Sequence, residues 1–182
     1  FSSFELAKFC WSLALVSEWA VSHNIKVIKP ASPLDLIEHL EGLDCVITIG
    51  YGVLLPQVVL DIPKHGFLNL HFSLLPLYRG AAPAQIALLN GEMVSGVTVF
   101  QLEKGMDTGP IYSQLPINID PSWRSVELLS QLAHQGPNAV ATAISMMPCT
   151  SKSGHDGYLM HSWKVIAIIL WGYKHQLQQL TQ

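Results

Sequence analysis

The chain has 182 residues, 49% of them hydrophobic, which is enough apolar mass for one well-formed core and too little length for two comfortable domains. Charged residues make up 13%, about half the usual share of about 25%, which excludes a chain held open by its own charge. A net charge of -3 with only ten Lys plus Arg excludes a protein that wraps a nucleic-acid backbone with a broad basic face, so any such contact is local.

Leu13, Val16, Trp19 and Ala20 recur at helical spacing and predict a helix over 11–23, followed by a short strand at Ile25 to Ile28 that Pro30 closes. Ser32 before Pro33, with Leu34, Ile37 and Leu40 and a stop at Gly42, predicts a second helix. The β-branched run from Asp44 to Gly50 suits a central parallel strand whose tip opens into a loop at Tyr51-Gly52. After a Pro-bounded segment from Leu54 to Pro63, a strand is expected at Gly66 to Phe72, then a loop from Ser73 to Ala82 and an apolar helix over 83–89. Two further strands, 94–102 and 111–119, flank the loop Glu103 to Pro110, and a helix over 125–146 covers the sheet, broken or kinked at Gly136-Pro137. This alternation predicts an α/β fold with an open, mostly parallel sheet flanked by helices. Residues 1–147 form one domain in this reading, and 148–182 an irregular tail.

Cys10, Cys45 and Cys149 have neither the spacing of a zinc site nor the even count of a disulfide framework, so they read as buried thiols in a reducing compartment, the cytoplasm. The apolar run Val165 to Trp171 falls far short of the roughly 20 residues that cross a bilayer, so no membrane span is expected. His155 and His161 lack a companion Cys or carboxylate cluster, and no metal is expected. The tryptophans Trp11, Trp19, Trp123, Trp163 and Trp171 read as packing residues, and His65 as a solvated turn residue.

Asn69 and His71 are two residues apart on an expected strand, so their side chains leave the same face, where a buried strand has no use for two polar groups. An Asn carboxamide and an imidazole projecting together can stabilise the oxyanion of an acyl-transfer intermediate. A carboxylate such as Asp107 in Gly105-Met106-Asp107-Thr108-Gly109 would orient or charge the imidazole and take a proton from an attacking amine. With no glycine-bracketed serine elbow and no cysteine in a catalytic context, direct transfer to a bound acceptor fits better than a covalent acyl-enzyme. Taken singly, His71 reads as a satisfied strand residue, Asp107 as a turn former and Ser73-Leu74-Leu75-Pro76 as a strand exit; it is their order that makes a site.

Asn69-x-His71-x-Ser73-Leu74-Leu75-Pro76, Arg79-Gly80-Ala81-Ala82-Pro83, Gly96-Val97-Thr98 and Gly105-Met106-Asp107-Thr108-Gly109 together resemble the formyltransferase family that uses 10-formyltetrahydrofolate. Tyr51-Gly52-Val53-Leu54-Leu55-Pro56 and Leu60-Asp61-Ile62-Pro63 extend the likeness, which runs from about Val16 to Ile144. The resemblance implies a Rossmann-like fold, Asn69, His71 and Asp107 as the catalytic trio, and Ser73, Leu74, Leu75 and Pro76 as part of the folate-binding loop. Backbone around Tyr51 to Leu54 and Glu103 to Met106 would line the pterin pocket, with Arg79 near the acceptor. It further implies 10-formyltetrahydrofolate as co-substrate without a metal, initiator methionyl-tRNA as acceptor at the start of translation, and a monomer. Glycinamide ribonucleotide as acceptor, hydrolysis of formyl-folate, and an inactive folate-binding fragment stand as alternatives. Measured against the family pattern, the chain is expected to lack the first strand at its start and the C-terminal β-barrel after Met147.

Overall fold

The β-branched run Cys45–Ile49 forms strand β1, and the sheet grows outward from both of its edges. The computed structural model describes residues 17–147 and 165–169. In chain order the elements are α1 (residues 17–22), a 3-10 turn Pro33–Leu36 running into α2 (Ile37–Leu40), β1, α3 (Gln57–Leu60), β2 (Phe67–His71), α4 (Pro83–Leu89), β3 (Val94–Gln101), β4 (Ile111–Asn118), α5 (Ser125–Ser145) and β5 (Val165–Ile169). Ser32 starts the 3-10 turn as expected: its Oγ accepts from the Leu34 N–H at 3.3 Å, and Asp35 Oδ2 accepts from the Ser32 N–H at 2.8 Å. That reciprocal pair satisfies two of the donors a helix start leaves free.

The five strands lie in the order β4-β3-β2-β1-β5. β1 pairs parallel with β2 and with β5, while β3 is antiparallel to both β2 and β4. Four strands therefore run one way and β3 alone runs back, which makes the expected mostly parallel sheet a mixed one. β3 and β4 are joined by the short loop 102–110, which suits an antiparallel pair because a parallel neighbour needs a crossover, whereas β2 and β3 are joined through α4.

Alternation along the strands sorts the two faces. Cys45, Ile47, Leu68, Leu70, Val97 and Val99 turn toward α5 and pack with its Leu128, Leu132, Ala139 and Ala143. Val46 and Phe67 turn the other way and meet Leu36, Leu40, Val59 and Leu60. On this second face the apolar cover ends at Phe67, and the next residues that β2 presents there are Asn69 and His71.

The sequence predicts a break or a kink at Gly136-Pro137, and the α5 helix is not broken there. Leu132, Gly136, Ala139 and Ala143 form one buried stripe at helical spacing, and burial of that stripe outweighs the local cost of the proline. A Cβ on Gly136 would stand 2.7 Å from Leu70 Cδ2, inside normal carbon contact of about 3.5 to 4.0 Å; the bare glycine lets the helix seat against β2.

Three expectations need correction. Residues 25–28 form no strand; Ile25 and Val27 are 49% and 37% exposed, so the run lacks the buried face that would reward pairing. That strand, Val165–Ile169, lies in a segment where the sequence shows no regular element. Trp19 is 57% exposed and stacks on His23 with ring centroids 4.2 Å apart instead of entering the core, whereas Trp123 packs against the α5 side of the sheet. Trp11, Trp163, Trp171, Cys10, Cys149, His155 and His161 lie outside the described residues. Among the described residues no helix is long and apolar enough to cross a membrane.

Candidate active site

Asn69 and His71 sit at the carboxyl end of β2, the end of a parallel sheet at which ligands are usually held. Their same-face placement is supported by register: Asn69 stands opposite Phe100 and His71 opposite Thr98 on β3, and the His71 ring meets Phe100 edge-on with centroids 6.3 Å apart. Asn69 also stands beside Thr48 of β1. The Thr48 hydroxyl donates to Asn69 Oδ1 at 2.9 Å and to the Leu68 carbonyl at 3.2 Å. With Oδ1 so engaged, the carboxamide presents its N–H groups as the free donors.

His71 is buried, and its Nε2 donates to the Tyr78 carbonyl at 2.8 Å. A carbonyl can only accept, so this bond assigns the proton to Nε2 and turns Nδ1 toward Asp107. Asp107 Oδ2 lies 3.8 Å from Nδ1, with the two side chains 7% and 14% exposed for His71 and Asp107. The same carboxylate oxygen accepts from the Gly80 N–H at 2.6 Å. The loop between β3 and β4 thus brings its carboxylate to the imidazole.

Close packing shapes the Asp107 loop. A Cβ on Gly109 would run into the Gln101 carbonyl oxygen, so only glycine lets the chain re-enter the sheet there, while Gln101 N–H donates to the Pro110 carbonyl at 2.9 Å. Thr108 Oγ1 donates to Glu103 Oε1 at 2.6 Å, bracing the loop from its other side.

In the expected folate loop, Ser73 and Leu75 turn inward and Pro76 faces solvent. Ser73 Oγ donates to the Leu77 carbonyl at 2.6 Å. Buried Thr98 binds the loop to β3: its hydroxyl donates to the Ser73 carbonyl at 2.6 Å and accepts from the Leu75 N–H at 3.1 Å. Gln114 Nε2 holds the Leu75 carbonyl at 2.8 Å. Leu74 lies over Gly96, where a Cβ would come within 2.5 Å of its Cδ2. Ser73 and Leu75 thereby frame the loop from within, and its outer surface belongs to Pro76 and Leu77.

Of the weaker expectations, Leu54 and Met106 are 75% and 58% exposed, and Tyr51 is half-buried, its phenol pushed above the usual range by burial. Arg79 is exposed between Tyr78 and Gly80, whose backbone groups bind His71 and Asp107. Two shallow depressions of about 270 and 330 Å³ border Asp61, Gly66 and Gln101; they lie at the opposite end of β2 and contain none of the trio. Among the described residues no group of three or more His, Cys, Asp or Glu could hold a metal ion.

Sequence reasoning missed Thr48 and Tyr78. Thr48 carried a signal, as the one polar side chain in the apolar run Cys45–Ile49. Tyr78 carried none, because it serves His71 through its backbone.

The family model described as formyl transferase matches residues 30–144. The chain is 49% identical over 125 residues to a methionyl-tRNA formyltransferase from Salinispora tropica, covering 66% of this chain and 41% of that protein. It is 43% identical over 133 residues to one from Streptomyces coelicolor, covering 71% of this chain and 43% of that protein. It thus spans less than half the length of these curated relatives. Among solved structures, a phosphoribosylglycinamide formyltransferase from Bacillus halodurans superposes with a TM-score of 0.66 at 25% identity, over 75% of this chain and 76% of that one. The matched stretch holds β1 through α5 and every residue of the Asn69, His71 and Asp107 cluster: the chain belongs to the formyl transferase family.

Proposed function

We propose that the chain carries the catalytic centre of an enzyme that moves a formyl group from 10-formyltetrahydrofolate to the amino group of methionyl initiator tRNA, acting as a cytoplasmic monomer at the start of translation. The observation that carries this reading is the meeting of Asn69, His71 and Asp107 at one end of β2, with His71 Nδ1 3.8 Å from Asp107 Oδ2. The identities of 49% and 43% to proteins named methionyl-tRNA formyltransferase support the acceptor, as does the Arg79-Gly80-Ala81-Ala82-Pro83 stretch.

In the proposed reaction the acceptor amine forms a bond to the formyl carbon while the carbonyl electron pair moves onto oxygen. The Asn69 carboxamide N–H groups and the His71 imidazole stand beside the oxygen on which that negative charge builds. Asp107 takes the proton the amine sheds, directly or through a water. Collapse of the intermediate breaks the carbon bond to N10 of the folate, and the proton passes to that nitrogen, giving tetrahydrofolate and the formamide. Ser73, Leu74, Leu75 and Pro76 would contribute the loop against which the folate lies, and Arg79 would stand beside the acceptor.

Formyl transfer to glycinamide ribonucleotide is the second reading, favoured by the likeness to the Bacillus halodurans phosphoribosylglycinamide formyltransferase. Formylation assays with the purified chain, offering charged initiator tRNA and then glycinamide ribonucleotide, separate the two, and product with the nucleotide alone would overturn the first. Asn69→Ala and His71→Ala should each lower turnover by about 10² to 10³. A thermal shift with a folate analogue, which stabilises only a folded chain that binds it, without any turnover would identify a binding fragment instead.

A further inference from the structure

Tyr78 is held from two sides by groups that belong to different parts of the fold. Its backbone is left-handed, with φ of 55°, a conformation that is strained for a side-chain-bearing residue and persists only when its surroundings enforce it. Its carbonyl receives His71 Nε2–H at 2.8 Å. Its phenol donates to the carboxylate of Glu92 and accepts from Asn90 Nδ2, the latter at 3.2 Å. Asn90 and Glu92 stand in the turn that leads from α4 into β3, and that turn is itself fixed, with Asn90 N–H bonded to Ile86 O at 3.0 Å and Glu92 N–H to Ala87 O at 3.1 Å.

From this geometry we infer that Tyr78 is a positioning residue for His71, and that Glu92 anchors it from the α4 to β3 turn. Hydroxyl donation to a carboxylate is charge-assisted and among the stronger side-chain bonds. It fixes the ring of Tyr78, the fixed ring maintains the left-handed backbone, and that backbone aims the carbonyl at Nε2. The carbonyl selects the Nε2-protonated imidazole, which leaves Nδ1 to face Asp107. Two residues further on, the Gly80 N–H holds Asp107, so the segment tied down by Glu92 supports both members of the pair. Neither Tyr78 nor Glu92 touches the reacting atoms in this account. Its kinetic consequence rests on the formyl-transfer reading; the imidazole state does not.

The test uses the full 182-residue chain with Tyr78→Phe, Glu92→Leu and Glu92→Gln, the last retaining a side-chain oxygen that can accept from the phenol. Long-range proton–nitrogen NMR of the imidazoles, with His71 assigned by the signals that vanish in His71→Asn, reports which ring nitrogen is protonated. The native chain and Glu92→Gln should show Nε2-protonated His71, and Tyr78→Phe and Glu92→Leu a mixture of both tautomers. In formyl transfer the latter two should lower kcat by about tenfold to a hundredfold, as misplacement by about 1 Å does, with KM for the folate changed by less than about twofold. Unchanged His71 signals in folded Tyr78→Phe overturn the inference, and that variant decides alone if Glu92→Leu does not fold. Altered tautomers in a chain that transfers no formyl group uphold the clamp and remove the functional reading instead.

Discussion

Asp107 Oδ2 stands 3.8 Å from His71 Nδ1 while accepting a 2.6 Å hydrogen bond from the Gly80 N–H. One oxygen thus serves both structure and charge, and the two can be separated. Asp107→Asn keeps an oxygen for Gly80 but loses the negative charge before the imidazole. We expect an unchanged fold by circular dichroism and a fall in kcat of about 10² or more, the usual worth of a positioned acid-base group. A variant that turns over like the native chain would sink the role given to Asp107.

Thr48 is fully buried and its one hydroxyl proton serves both Asn69 Oδ1 and the Leu68 carbonyl. Thr48→Val preserves the shape and deletes the donor. Stability should fall by about 1 kcal/mol, the net value of a typical buried bond, read as a lower urea midpoint with an unchanged slope. If the midpoint does not move, Asn69 Oδ1 is satisfied some other way.

Gly136→Ala sets two effects against each other. Alanine gains about 1 kcal/mol over glycine within a helix. Its Cβ, however, would sit 2.7 Å from Leu70 Cδ2 in a closed interface, and overpacking of this kind costs about 2 kcal/mol. The second effect should win, leaving the variant less stable by about 1 kcal/mol in the same urea titration.

Cys45 is fully buried, and burial pushes its thiol up from 9.0 to about 11. Above pH 9 the unfolded chain loses this proton while the folded chain retains it, so the stabilisation present below pH 9 is lost as pH rises through about 11. One such proton corresponds to a slope of at most about 1.4 kcal/mol per pH unit. Cys45→Ala should flatten the decline in urea midpoint across that window. Peptide mapping after alkylation at pH 8 should find Cys45 unmodified in the native chain and modified in denaturant.

The placement of Asn69 and His71 was legible because strand alternation is a local rule, and Phe67, Leu68 and Leu70 mark the strand unmistakably. Asp107 was legible only through its motif, since nothing local says that a loop 36 residues beyond His71 returns to it. The lone polar residue in β1 could be read as unusual, but its partner is set by the register of Thr48 against Asn69, which no local pattern encodes. The service of Tyr78 was invisible, as any residue offers a carbonyl. Ile25 to Ile28 failed for the converse reason: a strand-like composition yields no strand unless a sheet accepts and buries it. The same limit hid β5, because five apolar residues near the chain end specify no pairing by themselves.

β5 reaches the sheet after all three candidate residues, yet it lies along the outer edge of β1, the strand that carries Thr48. A version of the chain that stopped at Met147 would keep all three site residues and strip that edge, leaving a row of amide and carbonyl groups open as a template for another molecule. Self-association of such a shortened form would arise from the loss of five residues two strands away from Asn69 and His71.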